Sequence, residues 1–348
     1  MSIKKKTVID LFCGCGGLSY GFIEAGYNVV LGIDHWKDAI ITFENNHKGS
    51  KGLVADLFIE TPEQISKKTG VKNVDLIIGG PPCQGFSIAG KRIVDDERNK
   101  LYKSFVEFVE FYKPKAFLLE NVPNIVSMGQ GVVKDSIVND FEKLGYKVVY
   151  KVLLASDFGV PQNRKRAFFI GIKGDKEFIF PQPNVSNIIS AKDALSDLPE
   201  KSILDGSNYK IAAKSEYQEM IRNGSSSIFN HEITNHSAQT VEIIALVPDG
   251  GNYKNLPVEL QQTRNVHIAW TRLNSKKPSF TIDTGHRHHF HYKFNRVPTV
   301  RESARIQSFP DNFIFLGSKT SQYKQVGNAV PPLLAKQLAI ELKKYIYV

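Results

Sequence analysis

A thiol, a carboxyl group and two guanidinium groups stand in this chain where they could act together on one electron-poor ring. Cys83 lies in Gly79-Gly-Pro-Pro-Cys-Gln-Gly-Phe-Ser87, after two prolines that fix the backbone. The polar, glycine-bearing stretch that follows, 88–100, has the composition of a lid. A cysteine in a rigid bend beside a lid has the setting of a nucleophile, although a lone free cysteine is more often a small core residue. Its company tips the balance. Ala116-Phe-Leu-Leu-Glu120 ends an apolar run on a carboxylate, which is costly to bury without a task. Gln162-Asn-Arg164-Lys-Arg166 sets two arginines two residues apart, on one face of a strand. Thiol, carboxyl and arginine donors in one place fit attack on a heterocycle.

A second constellation lies nearer the start. Asp10-Leu-Phe-Cys-Gly-Cys-Gly-Gly17 follows an apolar run and precedes a helix-like stretch, and its glycines let a ligand approach a helix N-terminus. Roughly twenty residues on, Asp34 ends another strand, where an acid can bond ribose hydroxyls. Asp56, ahead of the next apolar run Val74–Ile78, is placed to read the exocyclic amine of an adenine. The third glycine of the dinucleotide fingerprint is missing, so an adenosine-type cofactor is favoured over a nicotinamide one.

These residues need a scaffold, and the first half of the chain supplies the pattern of one. Apolar runs Thr7–Phe12, Asn28–Ile33, Val74–Ile78, Ala116–Leu119, Val148–Leu154 and Arg166–Ile172 read as strands. Leu18–Ala25, Ala39–Asn46, Lys103–Phe111 and Asp140–Leu144 read as helices between them, an α/β fold with a parallel sheet. After about Gly174 periodicity fades, and 185–312 reads as a smaller domain of loops and short strands. Helical spacing returns after Pro331 and Pro332, with Leu334, Leu338 and Leu342 at i, i+4. The catalytic part is thus 1–184 plus 313–348. A net charge of +10 and pI near 9.2 suit a polyanionic partner. Three cysteines are too few for a disulfide framework, and no run is long enough to span a bilayer, so a soluble cytoplasmic protein is expected.

At these residues the chain resembles the DNA cytosine-C5 methyltransferases of bacterial restriction–modification systems. The likeness runs in order through Asp10–Gly17, Pro81-Pro-Cys-Gln84, Glu120-Asn-Val122, Gln162–Arg166, Arg301–Pro310 and Gly327-Asn-Ala-Val-Pro-Pro332, nearly the whole chain. It implies a Rossmann-like S-adenosylmethionine-dependent methyltransferase sheet with a target-recognition domain. Phe12, Gly14, Gly16, Asp34, Asp56, Leu57, Pro82 and Asn328 would contact S-adenosylmethionine, and either His35 or Trp36 would pack on the adenine. Cys83 would add to carbon 6 of a flipped cytosine, and Glu120 would hold ring nitrogen 3 and the amine. Arg164 would bond the carbonyl at position 2, with Arg166 in support. Gln84 and Ser87 would touch DNA, with Arg264, Arg272, Arg287 and Lys293 as candidates to read bases or touch phosphate. Arg301–Pro310 would organise the recognition region. Double-stranded DNA is the implied partner of a monomer, and a cognate restriction endonuclease the functional one, without a stable complex.

Rival readings are an RNA cytosine methyltransferase, whose branch keeps a shorter recognition region, and a DNA amino-methyltransferase, which carries an aromatic residue where Cys83 stands. A catalytically dead DNA-binding module is a third, against which every chemical residue speaks. Gly285-His-Arg-His-His-Phe-His-Tyr292 is dense in histidine, but zinc wants four well-spaced ligands and no metal is expected. Cys13 and Cys15 read as small residues of a tight loop.

Overall fold

Apolar and β-branched runs become strands, and the amphipathic stretches between them helices, in a computed structural model that describes residues 5–82, 100–183, 188–261, 270–284 and 289–347. The elements of the first half are β1 (Thr7–Leu11), α1 (Gly17–Glu24), β2 (Asn28–Asp34), α2 (Lys37–Asn46), β3 (Lys51–Val54) and α3 (Pro62–Thr69). After them come β4 (Leu76–Gly79), α4 (Lys100–Tyr112), β5 (Ala116–Asn121), α5 (Val132–Lys143), β6 (Tyr146–Leu154) and β7 (Lys165–Lys173). The seven strands form one sheet in the order β3-β2-β1-β4-β5-β7-β6. All neighbours are parallel except β7, which runs antiparallel between β5 and β6.

Two consequences position the chemistry. Strand order reverses between β1 and β4, and ligands of open α/β sheets bind beyond the carboxyl ends of strands at such a point. Because β7 is antiparallel, its first residues lie at the edge where β5 ends, with Asn121 opposite Ala167. Beneath that edge the sheet is apolar. All six residues of β5 are buried, and Phe117 stacks on Phe141 with centroids 3.9 Å apart. Removing such a ring costs about 3–5 kcal/mol.

Two elements lacked an apolar run in the sequence. β3 is a short edge strand with no buried residue, so it shows no hydrophobic pattern. Val74–Ile78 is therefore not the third strand but part of the region of β4, the fourth. α3 is set by its start, where Thr61 Oγ1 accepts from Gln64 N and Gln64 Oε1 accepts from Thr61 N, with Pro62 following. Thr-Pro-Glu-Gln is a legible capping box.

The chain divides into two compact units. The first, Met1–Leu154, Lys165–Pro183 and Leu334–Val348, holds the sheet. Leu334, Leu338, Leu342 and Ile346 of the last helix are fully buried, and Tyr27 donates to Ala339 O at 3.1 Å. The second, Ala155–Arg164 and Asn184–Leu333, is built of short helices and two-residue strands. Its bounds differ from the expected 185–312 at both ends. Residues 155–164 join it because Asn163 N donates to Ser279 O and Ser279 N to Pro161 O, at 2.8 and 2.9 Å. Residues 313–333 join it through bonds such as Arg301 to Phe313 O, 2.6 Å, and Asn230 to Phe315 O, 2.8 Å. No helix among the described residues is long and apolar enough to cross a membrane.

Candidate active site

The loop after β1 turns through three left-handed residues, Phe12, Gly14 and Gly16, at φ 58°, 54° and 90°. Two side-chain contacts hold it. Asp34 accepts from Gly14 N through Oδ2 and from Trp36 N through Oδ1, both at 2.9 Å. Gly16 O meets Nε2 of His47 at 3.0 Å. The two glycines have different surroundings. A Cβ on Gly14 would meet nothing within 4 Å, whereas one on Gly16 would collide with the His47 and Phe43 rings. Gly14 therefore offers an open flank to a ligand, and Gly16 serves close packing.

Around this loop His35 is exposed, with Nδ1 3.3 Å from Asp34 Oδ1, while Trp36 is half-buried. Asp56 is exposed and accepts from Phe58 N, and Leu57 is buried beside it. Beneath the loop, burial pushes the Asp10 carboxyl up to about 7, partly offset by the Ser19 hydroxyl that donates to it at 2.6 Å. Burial likewise pushes the Cys13 thiol far up and the Cys15 thiol up to about 12. Both cysteines are buried among groups that disfavour the thiolate, the setting of a structural rather than a reactive cysteine.

At the ends of β4 and β5 three features converge. Asn121 Nδ2 donates to Pro81 O at 3.0 Å, tying the segment that leads into Cys83 to β5. Gly80 faces Glu120, since a Cβ there would sit 2.8 Å from Glu120 Oε2. Glu120 Oε1 meets Arg166 Nε at 2.8 Å. Pro82 is exposed, and Cys83, Gln84 and Ser87 lie outside the described residues.

The two arginines stand in different surroundings, although they were expected on one face. Arg166 is the one beside Glu120. Arg164 is fully buried in the second unit, donating to Ile282 O at 3.0 Å and Gly327 O at 2.8 Å. β7 begins only at Lys165, so strand alternation never reaches Arg164 and the pair does not share a face. Asn328, which follows Gly327, is exposed at the end of the helix Lys319–Asn328.

Arg272 is a second correction. It is buried and donates to the carbonyls of Ile244, Val247, His291 and Phe294 and to Asn295 Oδ1. It satisfies carbonyls left over at the end of the helix Ala238–Ala245, so its donors cannot read bases. Arg264 and Arg287 lie outside the described residues. In the histidine-dense stretch His291 is buried, and its Nδ1 accepts from Lys293 N and Phe294 N, both at 3.0 Å. Burial pushes it down to about 4. His289 instead stacks on Phe280, with centroids 5.6 Å apart. Among the described residues no group of three His, Cys, Asp or Glu side chains could hold a metal.

Sequence reasoning missed His47, whose isolated imidazole carries no motif, and gave Asn121 no role although it stands directly after Glu120.

Residues 6–344 match the family model of the C-5 cytosine-specific DNA methylases. The chain is 41% identical over 336 residues to a type II methyltransferase of Haemophilus parahaemolyticus, covering 96% of this chain and 85% of that one. It is 40% identical over 370 residues to another from Desulfomicrobium norvegicum, covering 97% and 89%. A crystal structure of a prophage-encoded protein from E. coli, described as a DNA modification methyltransferase, superposes with a TM-score of 0.82 at 29% identity. That likeness covers 99% of this chain and 100% of the other.

Proposed function

The chain belongs to the C-5 cytosine-specific DNA methylases, a family dependent on S-adenosylmethionine, and on that premise we propose how its residues divide the work of methylating cytosine in DNA. The cradle is the loop Phe12–Gly16, with the open flank of Gly14, Asp34 at its side and the exposed carboxylate of Asp56. An adenosine-bearing sulfonium suits those donors and acceptors. Asn328, Leu57 and Pro82 complete the set by resemblance. When bound, the cofactor supplies an electrophilic methyl group.

Carbon 5 of cytosine is too weakly nucleophilic to take that methyl unaided. The Cys83 thiolate adds to carbon 6 and pushes electron density to carbon 5. Glu120 holds ring nitrogen 3 and the exocyclic amine, stabilising charge that appears only as the thiolate adds. Arg166, oriented by Glu120 Oε1, takes the carbonyl at position 2, the role first expected of Arg164. After transfer the proton on carbon 5 leaves to a base, and elimination releases Cys83. The target must first leave the duplex stack, at a cost of a few kcal/mol. Gln84, Ser87 and the stretch 88–100 are proposed to fill the gap and close over the base.

The observation that carries this reading is the triple junction of Glu120 with Arg166 and Gly80, one bond from the Asn121 clamp on Pro81. Two residues on stands Cys83. The second unit, with Arg264, Arg287 and Lys293 as its remaining candidates, chooses the sequence. In the cell the enzyme works on double-stranded DNA as a monomer, protecting it from a cognate restriction endonuclease without forming a stable complex.

Trapping tests the nucleophile. Duplex DNA with 5-fluorocytosine at the target should yield an adduct that survives denaturation, because fluorine cannot leave as a proton does. Cys83→Ser should abolish both the adduct and methylation, while Cys13→Ala and Cys15→Ala should keep the adduct. Trapping that persists in Cys83→Ser and vanishes in either of the others would place the nucleophile elsewhere.

A further inference from the structure

Two rings form a wedge between β2 and the cofactor loop. The Phe43 ring fills the space over Gly32, where a Cβ would collide with it. The His47 ring stacks on Phe43, with centroids 4.3 Å apart and planes at 16°. On its far side His47 fills the space over Gly16 and brings Nε2 to Gly16 O at 3.0 Å. Nδ1 meets Phe43 O at 2.7 Å. The imidazole is buried at 1% exposure. Gly16 O also accepts from Tyr20 N at 2.8 Å and Gly16 N donates to Cys13 O at 2.9 Å, so one residue joins the loop's turn to the start of α1.

We propose that His47 is a positioning residue for cofactor binding: its ring, packed over Gly16 with Nε2 on Gly16 O, holds Gly16, and through it the curvature of Phe12–Gly16, in the form that leaves the Gly14 flank open. This rests on the reading of that loop as the cradle. The physical reason is local. Phe12 carries a side chain at φ 58°, a conformation that non-glycine residues adopt rarely and that persists only when neighbours over-determine it. Asp34 holds the loop from the Gly14 side, and His47 is the matching hold at Gly16.

Equilibrium titration with S-adenosylhomocysteine separates this role from simple filling. His47→Phe keeps an aromatic ring on Phe43 but loses the contacts of the ring nitrogens with Gly16 O and Phe43 O. It should weaken binding roughly tenfold, the worth of about one hydrogen bond to a constrained carbonyl, with its melting temperature little changed. In turnover the loss should appear in KM for S-adenosylmethionine rather than in kcat. His47→Gly should bind more weakly still, and added imidazole should restore affinity to within a few-fold of the parent. Unchanged affinity in His47→Phe overturns the proposal, as does imidazole that restores the melting temperature of His47→Gly without restoring binding. Gly14→Val is the control on the underlying reading. Its side chain enters the open flank and should block binding, and if it does not, the cradle assignment has failed rather than the clamp.

Discussion

Away from the Glu120–Arg166 pair at the sheet edge, the two units treat buried carboxyl groups in opposite ways. In the first, Asp10 is buried with a serine hydroxyl as its hydrogen-bond donor, and its carboxyl sits near neutrality. In the second, buried carboxylates stand beside arginines. Arg305 bonds Asp197, and its Nε and Nη2 reach Asp311 at 2.9 and 2.7 Å. Arg296 grips Glu302 at 2.7 and 2.8 Å. Burial alone would raise Asp311 and Glu302, but Arg305 and Arg296 respectively carry both below the usual carboxylate range. The difference follows from architecture. A seven-stranded sheet with helices buries one large apolar cluster, which needs few charged groups inside it. The second unit has two-residue strands and a small apolar cluster around Trp270 and Phe290, so arginine forks join segments far apart in the chain.

That contrast can be broken. Arg305→Met takes from buried Asp197 and Asp311 the guanidinium they share, leaving only Arg222 on Asp197 and Arg301 3.7 Å from Asp311, and should cost about 3–5 kcal/mol, read by denaturant unfolding. Asp10→Asn keeps an acceptor for Ser19 and should cost far less. Comparable losses would erase the distinction between the units. Arg272→Lys, which surrenders a fork of buried bonds to carbonyls, should destabilise by about 1.5–3 kcal/mol without altering which cytosines are methylated. Relaxed specificity in bisulfite sequencing, with stability intact, would return Arg272 to the role of base reader.

The smallest effects are slopes with pH, and they have opposite signs. Asp10 has a folded value near 7, above its unfolded value of about 4, so its contribution to stability is lost as pH rises through that window. His291 has a folded value near 4, below its unfolded value of about 6.5, so its contribution is lost as pH falls from 6.5 to 4. Each slope is at most about 1.4 kcal/mol per pH unit. The two windows overlap, so against the parent Asp10→Asn should remove a fall in stability as pH rises from about 4 to 7, and His291→Phe should remove a rise between about 4 and 6.5, both read from melting curves. Departures of the same sign in the two variants would overturn one of the assignments.

Period and residue type are local properties, and what depends on them was legible from the chain alone. Strand–helix alternation in the first half, the leucine stripe of the last helix and the poor periodicity of the middle all follow from spacing within a few residues. So does the gathering of the glycine loop, Asp34 and Glu120 at one sheet edge, because parallel strands end on the same side. β3 escaped because an exposed edge strand has no apolar pattern to show. Tertiary structure alone decided which arginine meets Glu120. That turns on where β7 starts and on its antiparallel insertion, and Arg164 is held by carbonyls 118 and 163 residues away. It also made Arg272 a carbonyl clamp rather than a reader, and drew 155–164 and 313–333 into the second unit. His47 belongs with these, since its reach to Gly16 spans 31 residues. A side chain's type states which bonds it can make, but its partners are set by which distant segments fold against it.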